Sequence, residues 1–183
     1  METYKLTNGK TLEVILEDYP ENPREDYNLS KMICFHGRYS LGDKHNYNHK
    51  DYGGWAEMKE AIIKKEKPKV ILPLYLYDHS GITISTSPFG CQWDSGQIGW
   101  VIVTKDKINE TYGVKRITKK DIEKATNSLL AEVERYDQYI RGEVYGYRLL
   151  DEKGNEEDSC WGYFGSDIKT NGILDSVGAE ILF

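Results

Sequence analysis

No stretch of this sequence approaches the roughly 20 consecutive apolar residues that cross a bilayer. Its first residues, METYKLTNGK, contain neither the apolar run nor the cleavage site of a secretory signal. The expectation is a cytoplasmic protein with no membrane partner. Cysteine is scarce. Cys34, Cys91 and Cys160 are odd in number, far apart and never in a C-x-x-C pair, which suits free thiols in a reducing compartment and argues against a disulfide framework or a thiolate zinc site. Also missing are a G-x-x-x-x-G-K-[ST] phosphate loop, a strand followed by G-x-G-x-x-G and a helix, H-E-x-x-H and G-x-S-x-G. The usual marks of nucleotide hydrolases, metalloproteases and α/β-hydrolases are therefore absent, and no cofactor is implied. Internal repeats and low-complexity tracts are lacking as well.

What is present fits one α+β domain over residues 1–183. The chain is 39% hydrophobic and 12% aromatic, too rich in core-forming residues for a disordered chain and long enough to bury a core without staples. The formal charge of -6 is unevenly spread. Residues 1–30 hold seven acids and three bases and residues 143–183 nine and three, so both ends are acidic and the middle is basic. Acidic faces repel a nucleic-acid backbone, so no direct nucleic-acid binding is expected, but they can dock on a basic protein groove. A solvated surface explains the same charges.

Patterning places the elements. Asn8-Gly9 sits between two strand-like runs, where it supplies the positive φ of a tight hairpin turn. The run 19–26, with two prolines, reads as a surface loop. In KMICFHGRY, alternation predicts a strand with Cys34, His36 and Arg38 on one face and Ile33 and Phe35 on the other. Trp55, Met58 and Ile62 keep helical spacing up to Pro68. Residues 70–77, 82–87 and 97–103 read as three strands at the centre of a mixed, mostly antiparallel sheet, with Pro73 requiring a bulge or an edge. Thr104 can cap a short helix ended by Gly113. Thr118 and Asp121 resemble a capping box that opens the longest helix, in which Ile122, Ala125, Leu129, Val133, Tyr136 and Ile140 form one apolar stripe. That helix is expected to pack across a face of the sheet. A second hairpin with an acidic tip follows around residues 152–157, and a short helix is expected near the C-terminus.

Chemistry-bearing residues concentrate between Tyr77 and Gly99, YDHSGITISTSPFGCQWDSGQIG. Asp78, His79 and Ser80 end an apolar strand and Trp93, Asp94, Ser95 and Gln97 begin another, so both groups are candidates for a ligand-binding rim. A Cys–His pair of Cys91 and His79, oriented by Asp94, is the sharpest catalytic arrangement the residues allow. The structural alternative is a pair of polar turns with Cys91 buried as a small hydrophobe. A second polar cluster, His36, Arg38, Tyr39, Asp43 and His45, leaves a different strand. If the two strands are neighbours, both clusters open on one side and offer imidazole, guanidinium, phenol and carboxylate groups to a polar ligand. His45 and His49, four apart, would share a helical face and could bind a metal, but the Asn, Tyr and Gly around them point to a loop, so no metal is assigned.

The segments FHGRYSLGDKHN, LPLYLYDHSGITISTSPFGCQWDSGQIG and EVERYDQYIRGEVYGY, with DSCWGYFG, resemble uncharacterised proteins encoded by phages and mobile elements of Gram-positive bacteria, from about Lys31 onward. No established anti-CRISPR or antirestriction family is matched. The resemblance implies a setting: small acidic proteins of such elements often inhibit host defence by blocking a nuclease complex, mimicking DNA or sequestering a signalling nucleotide. The resulting expectation is a non-catalytic binder whose partner is a host defence protein or a signalling nucleotide. The alternative is an enzyme acting on a nucleotide or similar polar substrate through His79, Asp94 and Cys91 or a metal.

Overall fold

The computed structural model describes residues 1–182. In chain order the elements are strands β1 (Glu2–Lys5), β2 (Thr11–Leu16) and β3 (Lys31–Cys34), helix α1 (Trp55–Glu66), strands β4 (Pro68–Asp78), β5 (Ile82–Ser85) and β6 (Ser95–Thr104), helices α2 (Lys105–Tyr112) and α3 (Lys119–Ile140), strands β7 (Val144–Leu150) and β8 (Glu156–Phe164), and helix α4 (Ile173–Val177). The fold is α+β, and every strand pairing is antiparallel. The strands form two four-stranded sheets, not the one sheet expected from alternation. Each sheet belongs to its own compact unit: Met1–Glu25 with Gln138 onward, and Asp26–Asp137.

The first unit holds the sheet β1-β2-β7-β8. Asn8-Gly9 makes the first turn as its sequence dictates: Gly9 has φ +83°, and the Asn8 side chain accepts from Lys10 N at 3.1 Å. Leu6, Leu12, Val14, Tyr147 and Leu149 form one core with Ile168 and Ile173 of the C-terminal segment. Asp151 closes the second turn by accepting from Lys153 N and Asn155 N, both at 2.8 Å. Both acidic ends of the chain fold into this unit, which carries 15 acidic and 7 basic side chains against 15 and 17 in the second.

In the second unit the order is β3-β6-β4-β5, so β6 and β4 are central and β5 is an edge. Pro73 lies in β4 beyond the last residue that pairs with β5, where β6 is its only neighbour and its missing N–H breaks no ladder bond. One sheet face packs Ile33, Trp100 and Ile102 against Met58 and Ile62 of α1. The alternate residues Met32, Leu74, Val101 and Val103 are fully buried on the opposite face, which α3 crosses with Ala125, Leu129, Val133 and Tyr136.

Two carboxylates fasten that helix to both edges of the sheet. Glu132 accepts from Leu29 N (2.7 Å) and Ser30 N (3.1 Å) just before β3. Asp137 accepts from Thr83 Oγ1 (2.6 Å) and Ile84 N (2.7 Å) on β5. The N-terminus of α3 is the expected reciprocal cap, with Thr118 N donating to Asp121 Oδ2 at 2.8 Å and Asp121 N to Thr118 Oγ1 at 3.3 Å. No helix among the described residues is long and apolar enough to cross a membrane.

Candidate functional site

β3 stops at Cys34, earlier than alternation alone predicts. The cause is His36, whose Nδ1 accepts from the backbone N–H groups of Arg38 (3.3 Å) and Tyr39 (3.2 Å) and so wraps the chain around the imidazole. Its neighbour β6 continues in the other direction to Ser95. Phe35 N to Ile98 O, 2.7 Å, is the last bond between them. Ser95–Gln97 therefore has β4 on one side and no strand on the other. Ile98 is an extra residue in β6, because Leu74 pairs with Gly99 and Tyr75 with Gln97, and such bulges turn a strand away from its neighbour. A groove of about 750 Å³ opens here.

The two polar clusters converge on it. Arg38 forms an ion pair with Asp78, and Tyr39 Oη donates to Asp78 Oδ1 at 3.5 Å. Asp78 N in turn donates to Asp94 O at 2.8 Å, so the end of β4 is tied to both loops. His36 stacks on Tyr39 with ring centroids 5.0 Å apart, leaving Nε2 as the nitrogen without a partner among the described residues. Trp93, 96% exposed, also lines the groove. Gly96 forms part of the floor, and a Cβ built there would meet nothing within 4 Å. Arg38, Asp78, Asp94, Ser95 and Gln97 also line the groove. A second cavity of about 440 Å³ adjoins it, sharing Cys34, His36, Gly37 and Arg38 and adding Tyr39 and Lys44.

Other candidates have structural partners. Asp43 accepts from Met32 N at 2.8 Å and donates its own N–H to Met32 O at 2.8 Å, holding the loop on β3. His45 uses both nitrogens: Nδ1 accepts from Tyr47 N at 3.3 Å, so Nε2 carries the proton given to Cys34 O at 2.8 Å. That leaves no lone pair for a metal. His49 instead begins a 3-10 turn capped by Asn48 and lines the groove. Among the described residues no group of three or more His, Cys, Asp or Glu side chains is placed to hold a metal ion. Ser80 takes a left-handed φ of +57° at the exposed β4–β5 turn, and neither it nor His79 lines the groove. Ser95 Oγ is bonded to Cys91 O, and Gln97 Nε2 donates to Gly99 O at 3.3 Å.

Cys91, Asp94 and His79 come together, but in an order unlike that of a nucleophilic site. Asp94 Oδ2 accepts from Cys91 Sγ at 3.7 Å and lies 3.3 Å from His79 Nδ1. The carboxylate thus stands between thiol and imidazole. A working Cys–His pair needs the imidazole at the sulfur to take its proton, with the carboxylate behind the ring. Here a thiolate would form against a like charge.

Sequence reasoning missed Tyr47, Asn48 and Leu76 as lining residues. Tyr47 is a buried donor to Glu66 Oε1 at 2.9 Å, and its burial beside that carboxylate pushes the phenol well above its ordinary value, so it stays protonated. Asn48 lies in the Asn- and Tyr-rich loop that composition alone marked. Comparison with protein-family models, with curated proteins and with solved structures found no match to this chain.

Proposed function

We propose that this chain is a mobile-element-encoded binding protein that antagonises a host defence system without catalysis, by sequestering a signalling nucleotide in the groove between residues 36–49 and 93–98. The observation that carries the reading is Trp93. A large aromatic side chain 96% exposed to water, lining a cleft that a guanidinium also lines, is suited to an occupant that stacks on it. The groove volume falls within the roughly 300–1,000 Å³ of small-molecule sites. The arrangement of Cys91, Asp94 and His79 favours holding a ligand over transforming it, and the likeness to phage-encoded proteins supplies the setting.

The test is plating of a targeted phage on bacteria carrying a nucleotide-signalled defence system and expressing this chain. Wild type and Cys91→Ala are expected to raise plating efficiency equally, and Gly96→Trp, which puts a large side chain at a groove-lining position whose Cβ meets nothing within 4 Å, to abolish the effect. Loss of protection in Cys91→Ala with the fold intact would point to the enzyme alternative.

A second reading rests on charge. The first unit gathers both acidic ends of the chain, with Glu156, Glu157 and Asp158 exposed on β8, and suits docking on a basic protein surface such as that of a nuclease. Reversing those three charges separates the readings: it abolishes protection if docking is responsible and leaves it intact if the groove is.

A further inference from the structure

We infer that the groove selects a guanine nucleotide, reading the base with Trp93 and Asp94 and the phosphate with Arg38 and Lys44. The inference rests on the sequestration reading above and names its ligand class. The two adjoining cavities differ in chemistry. In the larger, the exposed indole of Trp93 is followed directly by Asp94, a lining residue whose side chain is 40% exposed. Asp94 Oδ2 lies 3.7 Å from Cys91 Sγ and 3.3 Å from His79 Nδ1, while Oδ1 has no partner among the described residues. A carboxylate beside an exposed π-face is a site for a flat group with N–H donors on its edge. Guanine presents two such donors, N1–H and the exocyclic amine, side by side. Adenine presents only one amine next to the bare N1 acceptor, which a carboxylate repels.

Lys44 lines the adjoining cavity, and Arg38 lines both. Arg38 holds Asp78 through one terminal nitrogen, yet its side chain remains 70% exposed, leaving N–H groups for a phosphate. Asp43 in the same cavity is turned to Met32 N. His36, like Arg38, is shared by both cavities and offers Nε2. The carboxylate and indole thus belong to one cavity, Lys44 to the other and Arg38 to both, an order that matches a guanine mononucleotide from base to phosphate. An all-phosphate ligand such as pyrophosphate would meet Asp94 and gain nothing from Trp93.

Equilibrium dialysis against GMP, AMP and guanosine tests this. Wild type is expected to bind GMP about tenfold or more tightly than AMP, the discrimination typical of paired hydrogen bonds to a base edge. Asp94→Asn should bring the two affinities together, Trp93→Ala should weaken both, and Lys44→Ala should weaken GMP but not guanosine. Equal affinity for GMP and AMP in wild type, a preference that survives Asp94→Asn, or no binding of GMP at millimolar concentration would each overturn the inference. If GMP fails while Gly96→Trp still abolishes phage protection, only the guanine assignment falls. Should Gly96→Trp leave protection untouched, the groove reading falls with it.

Discussion

Two glycines three residues apart in β6 show how unequal neighbouring positions can be. A Cβ at Gly99 would lie 1.9 Å from Ile33 O on the adjacent strand, and the backbone there has φ +159°. No rotamer relieves that clash, because the obstacle is main chain. At Gly96 the same atom would enter open groove. Gly99→Ala should therefore cost about 3–5 kcal/mol, in the range of severe backbone and packing defects, and Gly96→Ala should stay within about 0.5 kcal/mol. Urea titration of the two variants measures the difference, and equal midpoints would mean that β3 and β6 are not as close as described. The contrast also makes Gly96 the cleaner handle on function, since a Cβ added there meets no protein atom within 4 Å.

At the scale of elements, α3 does more than cover the sheet. Its buried stripe supplies the apolar contact, while Glu132 and Asp137 reach backbone N–H groups at opposite edges, beside β3 and on β5. An edge strand as short as β5 pairs along one side only, so the bond from Ile84 N to Asp137 takes the place of a further strand. Asp137→Ala leaves that donor and the Thr83 hydroxyl without their acceptor and should destabilise the protein by about 1–3 kcal/mol, with β5 amides losing hydrogen-exchange protection before those of β6. Uniform loss across both strands would show that the carboxylate acts on the whole unit and not on this edge.

The helix itself was fully legible in the sequence, from the Thr118–Asp121 cap through the stripe at Ala125, Leu129, Val133 and Tyr136, because its signals are local and periodic. Strand endings were less so. Alternation carried β3 on to Arg38, but the imidazole of His36 competes for the backbone at that point and ends the strand. Strand partners were least legible: alternation says that a residue faces a core without saying which one, so two sheets read as one. Residues of the candidate site were recognisable by type, and Arg38, Asp78, Trp93 and Asp94 do share one groove. His45 and Asp43 were not separable from them, since their bonds to Cys34 O and Met32 N are invisible without coordinates.

Over the whole molecule, charge is segregated by unit: the first has more than twice as many acids as bases and the second a slight excess of bases. The groove lies entirely in the second, with the less acidic surroundings an anionic ligand requires. That division lets the groove and the acidic surface be altered separately. The most direct measurement is mass spectrometry of the small molecules released when protein purified from its bacterial expression host is denatured. The account predicts that wild type releases an intact nucleotide in near-stoichiometric amount and that Gly96→Trp, purified in parallel and equally folded, releases none. Release of the same compound by both proteins, or of a reaction product in place of the nucleotide, would contradict it.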